Sequence, residues 1–161
     1  MNEEASALVQ AARGANITLG VAESLTGGDV ASALVSVPGA SAVFRGGVIA
    51  YDSMLKHDLL GVDAATLASS GAVSAEVAIA MAEGAQQRLG VDLAVATTGV
   101  AGPDPDPVSG ASPGVAFIAV AGGGLGTLVR ELALDGDRAE IRQRATRAAL
   151  QALRDGLATR E

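Results

Sequence analysis

The sequence predicts an α/β protein: a three-layer α/β/α sandwich with a mostly parallel mixed sheet. Two observations lead there. Short apolar runs, such as Leu93-Ala94-Val95-Ala96, alternate with longer stretches of helical periodicity, an order that builds a parallel sheet covered by helices on both faces. Towards the carboxyl end, two apolar runs follow each other with only a Gly-rich connection between them, which adds one antiparallel pair.

Residues 3–13 place Ala5, Leu8, Val9 and Ala12 on one helical face. Residues 17–23 form the first predicted strand. A helix follows Thr26 and stops near Val37-Pro38-Gly39. Residues 47–51 read as the second strand, and 54–60 as a short helix closed by Gly61. Asp63 caps another short helix that runs to Ser69. Ser74 caps a longer one, with Val77, Met81, Ala85 and Leu89 inward and Glu76 favourably placed in its first turn. Residues 92–98 form a buried strand, and the Pro- and Gly-rich stretch 99–107 is a loop. Strands at 115–120 and 127–134 are joined through Gly122-Gly123-Gly124. Asp135-Gly136-Asp137 introduces the last helix, 138–158, with Ile141, Ala145, Ala148, Ala149, Leu153 and Leu157 inward. No linker or internal repeat divides the chain, so residues 1–161 read as a single domain.

Composition excludes more than it identifies. The chain is 49% hydrophobic but has one Tyr, two Phe and no Trp, so its core is built from aliphatic side chains. A net charge of −7 argues against a nucleic-acid surface, which needs clustered positive charge. No apolar run approaches the roughly 20 residues that span a bilayer. The acidic start Met1-Asn2-Glu3-Glu4 lacks a signal peptide's basic region, so a cytoplasmic location is expected. With no Cys and a single His, His57, thiol nucleophiles, thiolate metal sites and His-rich zinc sites are excluded. No metal and no cofactor are expected. A hydrolase of this composition needs Lys or Tyr to activate its nucleophile unless His57 serves.

One stretch carries chemistry: Ala22-Glu23-Ser24-Leu25-Thr26-Gly27-Gly28, between a predicted strand and a predicted helix. Ser24 on such a turn stands at the carboxyl edge of a sheet beside helix-start N–H groups. The plain alternative is a helix N-cap. Thr26, Gly27 and Gly28 supply one edge of backbone amides, and Thr98, Gly99, Ala101 and Gly102 a second; either can form an oxyanion hole or a phosphate cradle. Strand alternation turns Glu23 to the side opposite Ser24, as an acceptor behind the site that is still counted among the substrate-binding candidates. Arg138 and Arg142 oppose the dipole of the last helix, so they call for an anion: a substrate phosphate, or Asp135, Asp137 or Glu140 nearby.

Four further motifs stand in order with this one: Gly46-Gly47-Val48-Ile49-Ala50-Tyr51 followed by Lys56 and Leu59-Leu60-Gly61-Val62; Gly71-Ala72-Val73-Ser74; Thr98-Gly99-Val100-Ala101-Gly102-Pro103; and Gly136-Asp137-Arg138 with Ile141-Arg142. Over nearly the whole sequence they resemble the C-terminal domain of the competence/damage-inducible CinA proteins, here as a stand-alone chain. The resemblance implies a metal-independent amidohydrolase that converts nicotinamide mononucleotide to nicotinate mononucleotide and ammonia, in pyridine-nucleotide salvage. It places the family's Ser, Tyr and Lys on Ser24, Tyr51 and Lys56: Ser24 as nucleophile, Lys56 as base, and Tyr51 as proton relay, orienter or oxyanion donor. An acyl-enzyme and direct attack by a Ser24-oriented water are both compatible with it. The expected partner is a small-molecule nucleotide, with neither nucleic acid nor membrane, and homo-oligomerisation is left open. Two departures stand out. Asp52-Ser53 follow Tyr51 where the family usually has Ser-Asn, and the loop 104–114 lacks the family's Lys before the next strand. The rival reading is a non-catalytic nucleotide-binding or interaction domain that keeps the fold.

Overall fold

The computed structural model describes residues 2–122, 124 and 126–159. In chain order the elements are α1 (Asn2–Ala15), β1 (Leu19–Glu23), α2 (Asp29–Val35), β2 (Phe44–Ile49), α3 (Ser53–Leu60), α4 (Ala64–Ser70), α5 (Ala75–Leu89), β3 (Leu93–Gly99), β4 (Val115–Gly122), β5 (Leu128–Ala133) and α6 (Arg138–Ala158). A single 3₁₀ turn, Ala40–Ala42, precedes β2. Gly123, in the predicted connection before β5, lies outside the described residues.

The sheet order is β2-β1-β3-β4-β5. β1 lies parallel to both β2 and β3, while β4 is antiparallel to β3 and to β5. Only β4 is therefore reversed, but it creates two antiparallel pairs where the sequence reading has one. The reason lies in the connection 100–114, which contains no helix. A parallel neighbour needs a crossover, and this loop returns the chain directly beside β3.

Alternation along each strand sorts the layers. Leu19, Val21, Leu93, Val95, Ile118 and Val120 pack with Leu8, Val30, Leu34, Leu150 and Leu153 from α1, α2 and α6. The opposite face carries Ala22, Ala94, Ala96, Ala119 and Ala121, which lets α5 lie close through Val77, Ala78, Met81 and Ala82.

Predicted boundaries differ most at β2, which begins at Phe44 and ends at Ile49. Phe44 pairs with Leu19 and Gly46 with Gly20, and the register shifts between Leu19 and Gly20. Gly46 sits at φ 148°, a conformation that side chains rarely adopt. Ala50 makes one more bond to the Glu23 carbonyl, 2.8 Å, before the chain turns into α3. Helix starts agree with the cap signals: Asp63, Ser74 and Asp137 each accept from first-turn amides, and Asp137 with Glu140 completes a capping box. No helix among the described residues is long and apolar enough to cross a membrane.

Candidate active site

The Ser24 turn starts where β1 runs out. Ser24 N–H donates to the Thr97 carbonyl at 3.0 Å, which keeps it on the sheet for one more residue. The chain then folds back, with Gly27 N–H donating to the Ser24 carbonyl at 3.1 Å. Gly27 and Gly28 take φ 60° and 104°, the left-handed region that favours glycine. The helix N-cap is Gly28, with no side-chain cap, so the N-cap reading of Ser24 does not hold.

Glu23 is what caps α2. Its side chain is 1% exposed. One oxygen accepts from the N–H groups of Gly28 (2.9 Å) and Val30 (3.1 Å), and the other from Ala31 (2.8 Å). This corrects two expectations. Glu23 is committed to the helix start and does not face a substrate space. Gly28's amide is consumed by that carboxylate, and Gly27's by the turn, so neither is free for an anion. Thr26 is likewise buried, its hydroxyl 2.8 Å from that of Thr97. The amides of Leu25 and Thr26, by contrast, take no partner among the described residues.

Lys56 comes to Ser24 from α3. That helix exposes Met54, Leu55 and Leu59 but turns Lys56 inward, where it is 1% exposed. Its Nζ lies 3.0 Å from Ser24 Oγ, 2.8 Å from the Ala50 carbonyl and 3.3 Å from the Tyr51 carbonyl. Burial lowers its pKa from 10.5 to about 8, against the opposing pull of the Asp52 and Asp106 carboxylates. The geometry suits both protonation states. An ammonium donates to all three oxygens. A neutral amine keeps two N–H bonds to the carbonyls and turns its lone pair to the Ser24 hydroxyl. Ser24 itself is 7% exposed, and its hydroxyl bonds to no described side chain but Lys56.

Around this pair lies a cavity of about 160 Å³, lined among others by Leu25, Tyr51, Val73, Thr98, Gly99 and Ala101. A second cavity of about 190 Å³ shares Tyr51, Val73, Gly99 and Ala101 and adds Gly102, Asp104 and Arg138. Asp106 lines both. Thr98 donates its hydroxyl to the Ala72 carbonyl at 2.6 Å and so shapes the wall.

Tyr51 differs from expectation. Its ring is 60% exposed, and its hydroxyl accepts from Arg138 at 3.0 Å. It bonds to neither Ser24 nor Lys56 through that hydroxyl; only its carbonyl reaches Lys56. In this geometry the hydroxyl is held at the rim by Arg138 and not by the Ser24–Lys56 pair. Arg138 also donates to the Gly102 carbonyl, which fixes its guanidinium at the outer cavity. Arg142 points elsewhere. It donates to the carbonyls of Leu25 (3.1 Å) and Thr26 (2.9 Å) and pairs with Asp29 at 2.8 Å, strapping the Ser24 turn from behind. Its carboxylate partner is Asp29, not the nearby acids Asp135, Asp137 or Glu140. His57 is held by the Val62 carbonyl at 2.7 Å, away from Ser24.

Two residues escaped the sequence reading. Thr97 anchors the Ser24 backbone, and Asp106 enters from a loop whose composition announces only turns. Among the described residues no three His, Asp or Glu side chains converge to hold a metal ion.

Comparisons with known proteins agree with this architecture. The family model described as CinA C-terminal domain matches residues 1–157. A CinA-like protein of Frankia casuarinae is 49% identical over 144 residues, covering 88% of this chain and 32% of the relative. A CinA-like protein of Gemmatimonas aurantiaca is 46% identical, covering 89% and 33%. The chain thus spans about a third of the length of these curated relatives. Among solved structures, the competence/damage inducible protein CihA from Agrobacterium tumefaciens superposes with a TM-score of 0.91 at 35% identity, covering 96% of this chain and 94% of that one. The competence damage-inducible protein A from Klebsiella pneumoniae gives 0.92 at 32%, covering 98% and 96%.

Proposed function

The chain belongs to the CinA C-terminal domain family, and from that premise and the site's geometry we propose that it is a metal-independent amidohydrolase acting on nicotinamide mononucleotide. The observation that carries this reading is the buried Lys56, whose two carbonyl partners leave one position of Nζ for the Ser24 hydroxyl, 3.0 Å away. Neutral Lys56 takes the Ser24 proton as Oγ attacks the carboxamide carbon. The oxyanion is received by the unpartnered amides of Leu25 and Thr26, which follow the nucleophile. As the C–N bond breaks, the Lys56 ammonium returns its proton to the leaving nitrogen, and ammonia departs. Water, deprotonated by Lys56, then attacks the acyl-enzyme, and the Lys56 ammonium returns that proton to Ser24 Oγ as nicotinate mononucleotide leaves. The phosphate lies in the outer cavity, against Arg138 and the amides of Ala101 and Gly102, which take no partner among the described residues. Tyr51 forms the rim between the two spaces.

The Lys-free loop 104–114 favours a second reading, a nucleotide-binding domain without catalysis. Incubation of the purified chain with nicotinamide mononucleotide decides between them. Equimolar ammonia and nicotinate mononucleotide are expected, followed by proton NMR of the ring. Binding without product would establish the second reading instead.

A further inference from the structure

Asp106 belongs to no motif that carries the family resemblance, yet it is the charged residue common to both cavities. Its loop is closed on itself: Asp106 N–H donates to the Ala111 carbonyl and Gly110 N–H to the Asp106 carbonyl, both at 2.9 Å. Oδ2 accepts from the Val108 amide (3.2 Å), the Ser109 amide (2.7 Å) and the Ser109 hydroxyl (2.7 Å). Oδ1 takes no hydrogen bond from any described residue. The loop also packs on Gly71, where an added Cβ would come within 3.0 Å of Ser109. The carboxylate is therefore held in place with one oxygen unused. Although burial opposes it, the Ser109 and Val108 bonds and the Lys56 charge hold its pKa below the ordinary value.

The charges around it are few. Lys56 faces the inner cavity, and Asp104 and Arg138 line the outer one. Arg138 bonds to Tyr51 and Gly102 and not to Asp106, and Asp52, the other carboxylate acting on Lys56, caps α3 through the Met54 amide at 2.7 Å. We propose that Asp106 is the specificity-determining carboxylate of this site: it selects a positively charged ring over a neutral one, and in the empty cavity it balances the Lys56 ammonium. A cationic ring that enters this space takes over Asp106 and repels the ammonium. Lys56 then loses its proton to solvent when its substrate arrives. The base role rests on the amidase reading above; the selection is a matter of binding alone.

The test separates the two. Kd is measured by calorimetry on the Ser24→Ala protein for nicotinamide mononucleotide and for its 1,4-dihydro form, which has the same ribose phosphate and a neutral ring. The cationic ligand should bind at least tenfold more tightly. Adding Asp106→Asn should reduce that preference to near unity and leave the dihydro Kd within about twofold. Asp106→Glu should restore part of it. A preference that survives in the Asn variant overturns the proposal. So does an equal weakening of both ligands, which marks a merely structural loop residue, or a Ser24→Ala protein that binds neither. A charge preference in a wild-type chain that releases no ammonia would leave Asp106 as assigned and remove only the amidase reading.

Discussion

Lys56 sets the terms at the scale of single residues, because its proton is an obstacle to folding and, on the amidase reading, the proton that the reaction moves. The unfolded chain holds it to a pKa of about 10.4; the folded one releases it near pH 8. Between those values the unfolded state binds more protons, so stability rises with pH across this window, and below it the cost of the buried charge is fully present. The stability of the native protein relative to a Lys56→Met variant should therefore climb from pH 8 to pH 10, by no more than about 1.4 kcal/mol per unit. Urea unfolding at a series of pH values reads this directly, and a flat difference would mean an unperturbed lysine. Activity has a different window: kcat/KM should rise with pH up to about 8, where folded Lys56 loses its proton, and level off above it. Lys56→Arg should be as inactive as Lys56→Ala, since Arg keeps its proton; an active Arg variant would make the cation a positioner and require another base. Ser24→Ala should abolish ammonia release yet change stability by less than about 1 kcal/mol, because the α2 amides are capped by Glu23 and not by Ser24. Ser24 was readable as a candidate from its turn after a strand, whereas Lys56 was singled out by the family resemblance, since a lone Lys on a short helix reads as solvated. Tyr51 and Arg142 were legible as residues but not as contacts. The partner of one lies 87 positions away and that of the other 113, distances no local pattern encodes.

Glu23 shows how an element can depend on a side chain outside it. A helix of seven residues has little intrinsic stability, and α2 begins at a glycine with no cap of its own. The carboxylate supplies what the sequence of the helix lacks: three acceptor contacts and a negative charge at the positive end of the dipole. Glu23→Gln keeps the shape but turns one amide nitrogen, a donor, towards backbone donors. It should cost about 2 kcal/mol in a denaturant titration. If Glu23 acts only through the helix, the folded variant should keep the native KM; a selective rise in KM would return Glu23 to the substrate. Strand alternation did place Glu23 opposite Ser24, so its direction was readable. Its target was not, since the reading assigned the amides of Gly27 and Gly28 to a ligand. Helix starts at Asp63, Ser74 and Asp137 were readable because a cap acts within three or four residues. The start of β2 was not, because its pairing with β1 runs through glycines and a register shift that carry no propensity signal.

Across the whole molecule, the site exists because two helices from one layer approach each other closely. α3 carries Lys56, and α5 holds α3 in place through Gly84, packed against the carbonyl end of Leu60. A Cβ at Gly84 would fall inside the contact radius of the Leu60 carbonyl oxygen, which is backbone and cannot rotate away. Two effects oppose each other in Gly84→Ala. Helix propensity gains about 1 kcal/mol, while overpacking against backbone costs about 1–3 kcal/mol. The second should win, because relief requires α3 to move as a unit. That movement carries Nζ away from Ser24 Oγ, and a misplacement of about 1 Å is enough to lower turnover some hundredfold. Gly84→Ala should therefore lower Tm by a few degrees and kcat by 10- to 100-fold or so, the two losses arising together. Gly14→Ala is the control. It lies on α1, where an added Cβ meets no atom within 4 Å, so it should raise Tm slightly and leave kcat alone. If Gly84→Ala behaves like that control, α5 does not set the position of Lys56, and the spacing of the Ser24–Lys56 pair must be fixed by the Ala50 and Tyr51 carbonyls alone.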